Sequence, residues 1–279
     1  MNRHRFIQCL LYACFTLISL GSARTFAHEK QPLLNKDSSQ QYVDDNSGEN
    51  TSGNSLKQQL IRAVLYEHFR WNTPATYREN DSLMLDIMKA YWANLGQQVT
   101  SHELQDSLWQ EMHPWSAAFI SWVMRRAGAG DNFCYAPNHA TYIVAARNNV
   151  GKDNAVFKAY NINDTNAAWP QPGDLLCKNR DGKIYTLNTI HKNCISHCDV
   201  VIESDSVHRI VTTIGGNVNN RVAKRIVFLN EKGFIDNNIV WCIADDPLKE
   251  ATGNQSDYFA VIKTGEIKQN LPAVIAKAK

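Results

Sequence analysis

The sequence has no phosphate-binding loop and no Gly-x-Ser-x-Gly elbow, and Gly128-Ala129-Gly130 lacks the third glycine and the preceding strand that a dinucleotide site needs. These gaps exclude the common nucleotide-binding and serine-elbow readings. No internal repeat is present. Long apolar runs are also missing: the uncharged, mostly apolar stretch from Phe6 to Leu20 is shorter than the roughly 20 residues of a membrane-spanning helix. Basic clustering is missing too. The formal charge is +2, and loss of Arg3, Arg5 and Arg24 with the N-terminus turns it to −1. Nothing argues for nucleic acid, which calls for a clustered basic face.

What stands at the N-terminus reads as an export signal. Arg3 and Arg5 precede the apolar run, and small-residue sites follow it, ending at Ala23 or Ala27. The expectation is a signal peptide over residues 1–27 and a periplasmic or secreted protein. Cys14 as a lipid anchor is the alternative, but Tyr12-Ala13-Cys14 cuts the apolar region short and puts a bulky residue where small ones are usual. Residues 28–54 are expected to be a disordered linker, because almost no apolar side chain between Asn35 and Asn54 offsets the entropy of ordering. One domain over 55–263 and a loose tail over 264–279 complete the chain. Of its seven cysteines, Cys134, Cys177, Cys194, Cys198 and Cys242 survive signal removal. An odd number in an oxidising compartment leaves at least one thiol over. Cys177 with Cys198 is the favoured pair, since both lie in strands expected to be neighbours, and a buried free thiol is the alternative.

The chain is organised around Pro114 to Gly128. Pro114 suits the first position of a helix, Arg125 and Arg126 its last turn, and Gly128 the residue just past its end. Trp115, Ala118, Phe119, Trp122, Val123 and Met124 recur at three- and four-residue spacing, which predicts a buried central helix. Other helices are expected over Leu56–Trp71, opened by a Ser55/Gln58 capping box, and over Ser82–Leu95, Glu103–Glu111 and Asn138–Asn148. From Val156 the pattern changes to β-branched runs and turns. Strands are expected at Leu175–Cys177, Ile184–Leu187, His197–Glu203, Arg209–Ile214, Arg221–Leu229 and Ile239–Ala244, with Asp257–Lys263 as a last edge strand. Helices first and an antiparallel sheet afterwards define an α+β fold.

Ser116 falls in the first turn of the central helix, where unpaired N–H groups and the helix dipole favour a developing anion. A helix-cap hydroxyl is the plainer reading. Alternation along Ser196–Glu203 puts His197 and Asp199 on one face and Cys198 on the other. A hairpin turning near Ser206 sets residue 197 against 215 and leaves Asn217 on the side of His197. Ser116 then attacks, His197 takes its proton, and Asn217 or Asp199 holds the imidazole. His191, Cys194, His197 and Cys198 form a competing zinc quartet, although consecutive strand residues point apart and the spacing matches no familiar finger. His139, at a helix start, is an ordinary residue or lines the same cleft.

Pro114-Trp115-Ser116-Ala117-Ala118-Phe119, the Pro172-Gly173-Asp174 turn, Ser196-His197 and Gly215-Gly216-Asn217 resemble the ordered landmarks of CHAP and NlpC-type papain-like peptidases, which are cell-wall amidases and endopeptidases. The run from Ser116 to Gly128, Pro172 to Cys177, Ser196 to Asp199 and Ile214 to Val218 are similar to the domain-of-unknown-function family 2272. The resemblance implies a papain-like domain that hydrolyses an amide bond in peptidoglycan peptides without metal or cofactor, with Ser116 where those enzymes carry cysteine. A monomer is implied, with a protein inhibitor or partner also in view. The departure at Ser116 leaves three forms: a serine triad, a cysteine supplied by Cys134 or Cys198, or a catalytically inactive module that binds cell-wall peptide or a protein partner.

Overall fold

The computed structural model describes residues 55–180, 182, 184–236, 242–243 and 257–267, so the expected signal peptide, the linker and most of the expected tail lie outside the described residues. Helix α1, Leu56–Asn72, opens with the Ser55/Gln58 capping box formed in both directions. Its buried face holds Leu60, Val64 and Trp71, but also Glu67, while Tyr66 and Phe69 face solvent. A 3-10 turn, Ser82–Met84, leads into α2, Leu85–Ala93. The helix expected over Glu103–Glu111 is two helices, α3 (Ser101–Gln105) and α4 (Ser107–Met112). Asp106 divides them, because its carboxylate caps the N–H groups of Leu108 and Trp109 and starts a new helix. The central helix is α5, Ser116–Arg126, and α6 is His139–Arg147, capped by Asn138. Among the described residues no helix is long and apolar enough to cross a membrane.

The sheet comprises β1 (Phe157–Asn161), β2 (Leu175–Asn179), β3 (Ser196–Asp205), β4 (Ile210–Gly215), β5 (Ala223–Phe228), β6 (Cys242–Ile243) and β7 (Tyr258–Thr264), in the order β1-β7-β2-β3-β4-β5-β6. All pairings are antiparallel. The fold is therefore α+β, helices followed by an antiparallel sheet. Two strand expectations need correction. The stretch from Ile184 to Leu187 is irregular, with Ile184 exposed, because the Asn179 side chain bonds both the N–H and the carbonyl of Tyr185 and replaces a ladder there. The last strand, β7, is interior rather than an edge, since β1 pairs along its outer side.

Every residue of β2 and β4 is buried, which is why both read as continuous runs rather than alternating ones. On the helix face, α5 packs Trp115, Phe119 and Ile120 toward Leu175, Cys177, Cys198, Val200 and Ile214. The opposite face carries a second cluster around Leu176, Val201, Val211, Val227 and Val261.

Cys177 stands directly opposite Cys198 in the β2–β3 ladder, and the two form the expected disulfide. Cys134 is an exposed free thiol and Cys194 a buried one. The bridge closes a separation of 21 residues. Its loss removes roughly 3 kcal/mol by restoring freedom to the unfolded chain. Urea unfolding with and without dithiothreitol checks this: reductant lowers the wild-type midpoint and leaves that of a Cys177→Ala/Cys198→Ala variant unmoved.

Candidate active site

The site forms where β4 parts from β3. The ladder pairs Val201 with Thr213 and Val200 with Ile214 and then ends. Its register differs from the expected one. The hairpin turns between Asp205 and Ile210, with Asp205 accepting from the His208 N–H, and a bulge lies between Val201 and Glu203. Asp199, rather than His197, therefore comes level with Gly215. A β-carbon on Gly215 would lie 1.7 Å from Asp199 Oδ1, and one on Gly216 would strike Phe119 and Trp115. The glycine pair lets the end of β4 pass between the start of α5 and the buried polar residues of β3.

The start of α5 is held by an aromatic frame. Trp115 stacks on Trp71, with ring centroids 4.9 Å apart, and donates from Nε1 to Glu79 Oε2 at 2.5 Å. Trp71 Nε1 in turn donates to the Tyr91 hydroxyl at 3.0 Å, which donates to Glu67 at 2.6 Å. Trp122 and Arg70 donate to the same carboxylate, so this buried anion has partners on several sides.

Ser116 follows immediately. It does not cap the helix; Trp115 occupies that position without a side-chain bond. The Ser116 hydroxyl lies 2.7 Å from His139 Nε2 and accepts from Arg180 Nη1 at 3.3 Å. The tautomer of His139 is fixed by its other nitrogen. The Cys198 N–H donates to Nδ1 at 3.1 Å, and the Tyr142 hydroxyl is also bonded there. Burial, with His197 and Arg180 nearby, holds the His139 pKa well below the ordinary histidine value, so the ring is neutral. Its hydrogen is on Nε2, and His139 donates to Ser116. Both lone pairs of the hydroxyl are then engaged, and its own hydrogen must go elsewhere. His139 is a positioning donor, not the base.

His197 is the second imidazole, its ring centroid 5.1 Å from that of His139. Its Nε2 lies 2.7 Å from Asp199 Oδ1 and 2.9 Å from Arg225 Nη1. Asp199 is fully buried, which alone would raise its pKa, but Arg225, bonded to Oδ2, and His197 outweigh burial and hold the carboxyl well below the usual range. Nε2 cannot donate to Asp199 and accept from Arg225 at once; the shorter contact, to the ionised carboxylate, assigns it the hydrogen, and Arg225 Nη1 bonds Asp199 Oδ2 instead. Nδ1 is left as a proton acceptor and bonds no other described residue. Burial, opposed by Asp199, lowers the His197 pKa to about 4, which keeps the ring neutral at pH 7.

Asn217, expected as the first choice to hold the imidazole, sits in a left-handed turn at φ 55° and makes no hydrogen bond to His197 among the described residues. Asp199 holds the ring instead, as the shifted register dictates. The zinc quartet loses Cys198 to the disulfide, and the Cys194 sulfur accepts from the His191 N–H. No group of three or more metal-ligating side chains is gathered among the described residues. The same disulfide engages one of the two alternative nucleophiles, while Cys134 is exposed in the loop before α6. Arg180 and Arg225 are site residues that the sequence left unnamed, whereas His139, expected as an ordinary residue or one lining the same cleft, lines it. Arg225 lies beside Lys224 in β5, so its charge alone did not single it out.

The molecule is thus an α+β protein with a Ser/His/Asp cluster at a helix N-terminus, braced by two arginines. The chain belongs to the family described as "Uncharacterized protein conserved in bacteria (DUF2272)", whose model matches residues 78–264 and so takes in every residue of the cluster. No curated protein and no solved structure matches it.

Long-range 1H–15N spectra of the imidazoles check the hydrogen-bond assignment: His139 appears as the neutral Nε2–H tautomer and keeps that state in Ser116→Ala. Acid titration gives a second test. His197 is neutral in the fold and charges on unfolding, so the unfolded chain binds more protons between about pH 6.5 and pH 4. Stability is complete above that window and falls through it by about 3 kcal/mol from this residue. Thermal unfolding midpoints across the window show the decline, and His197→Gln flattens part of it.

Proposed function

We propose that this chain is an exported peptidoglycan hydrolase of papain-like architecture that cleaves an amide bond in cell-wall peptides, with Ser116 as nucleophile, His197 as base and Asp199 as the residue that orients the base. The observation that carries this reading is the bonding of His197. Asp199 takes its Nε2 hydrogen and leaves Nδ1 as acceptor; the His197 ring lies 5.1 Å from that of His139, which donates to Ser116, and on this reading His197 Nδ1 reaches the serine hydroxyl when substrate binds. Ser116 Oγ adds to the amide carbon as its proton passes to His197. The oxyanion then meets unpaired N–H groups at the start of α5, and the protonated imidazole returns the proton to the departing amine. Water releases the acyl group by the reverse sequence. Export and the cell-wall substrate rest on the N-terminal signal and on the resemblance to CHAP and NlpC-type peptidases.

A second reading has its own support. Ser116 is only 1% exposed, which favours a catalytically inactive module that binds cell-wall peptide or a protein partner. Mass spectrometry of purified peptidoglycan fragments, incubated with mature wild type and variants, separates the two. Wild type yields new fragments and Ser116→Ala yields none. Asp199→Asn loses on the order of 10²-fold or more in rate, because the imidazole then loses its orienting anion. Asn217→Ala stays within about threefold of wild type, since Asn217 touches neither ring. Cleavage by Ser116→Ala moves the nucleophile to Cys134. No cleavage by any folded variant leaves the binding module.

A further inference from the structure

The most accessible charge at the site is Arg180, the exposed residue immediately after β2. Its guanidinium donates to Ser116 Oγ at 3.3 Å, a long bond for a charged donor. The other arginine, Arg225, is buried and bonded to Asp199, with Nη1 2.9 Å from His197 Nε2. Among the described residues Arg180 forms no ion pair. Glu79 acts on it only through space, since that carboxylate accepts from Trp115 and burial raises its pKa. A guanidinium carries five N–H donors in a fork that matches a carboxylate, and one of the five is engaged with a described residue.

On the hydrolase reading of Ser116, we propose that the substrate presents a free carboxylate beside the scissile amide and that Arg180 is the specificity-determining residue that binds it. The position follows from the distances. A carboxylate held by the fork at about 2.8 Å lies within about 6 Å of Ser116 Oγ while the 3.3 Å bond to Ser116 is kept. A residue spans about 3.5 Å of extended chain, so the carboxylate belongs to a residue within one or two of the bond that is cut.

The test uses muropeptides released from peptidoglycan by a muramidase, before and after their carboxylates are converted to carboxamides. Binding is measured by calorimetry on mature Ser116→Ala, so the readout does not depend on turnover. The carboxylate form binds at least tenfold tighter than the amidated form. Ser116→Ala/Arg180→Gln binds both equally, and Ser116→Ala/Arg180→Lys keeps part of the preference. Thermal unfolding of each variant shows that it is folded. Equal binding of both forms, no binding of either, or a preference that survives Arg180→Gln overturns the assignment. A preference that depends on Arg180, together with a wild type that cleaves neither form, upholds Arg180 as the carboxylate reader and overturns the hydrolase reading alone. With an active wild type, Arg180→Gln raises KM for the carboxylate form about tenfold more than it changes KM for the amidated form.

Discussion

The Cys198 N–H is the constraint on which the site depends. Once β4 has parted from β3, this amide is buried with no strand to receive it, and an unpaired buried donor costs about 1–3 kcal/mol. His139 receives it. One hydrogen bond thereby joins the sheet to α6 and selects which nitrogen of the imidazole bears hydrogen. The direction of the bond to Ser116 follows. A strand ending one residue later would pair that amide conventionally and leave His139 free to hold either tautomer.

Charge imposes the second constraint. Asp199 is fully buried, and an isolated carboxylate there would take up a proton. Arg225 keeps it ionised, so Arg225 belongs to the site although it stands two strands away, across β4. The aromatic frame does for α5 what Arg225 does for β3. Stacked rings around Glu67 are rigid, and they place Trp115, and Ser116 after it, without help from a cap.

Local features were legible in the sequence. The C-terminal end of α5 at Gly128, the capping box at Ser55 and the pairing of Cys177 with Cys198 each rest on neighbours in the chain or on simple strand adjacency, whereas α5 begins at Ser116, two residues after the Pro114 expected at its first position. Those signals survive without tertiary information. The class followed from the change of period at Val156. What escaped depended on register. A bulge near Ile202 and a hairpin turn centred beyond Ser206 shifted Asp199 to the place expected for His197, and with it the choice between Asp199 and Asn217. Alternation fixes which face a side chain takes but not how far along its partner it falls. His139 was read as ordinary or as lining the cleft, and the choice stayed open because its role depends on an amide 59 positions away in the chain, which no local pattern records.

The disulfide carries a consequence for how the chain reaches this state. Cys194 precedes Cys198 by a single turn of chain, so in an unfolded molecule Cys177 meets either sulfur with nearly the same frequency, since closure entropy changes slowly with loop length. Nothing in the spacing tells an oxidant which thiol to join. Discrimination comes from the β2–β3 ladder, which sets Cys198 opposite Cys177 and leaves Cys194 in the loop before β3. The crosslink of the folded protein is therefore selected by the pairing of two strands and not by the spacing of the cysteines.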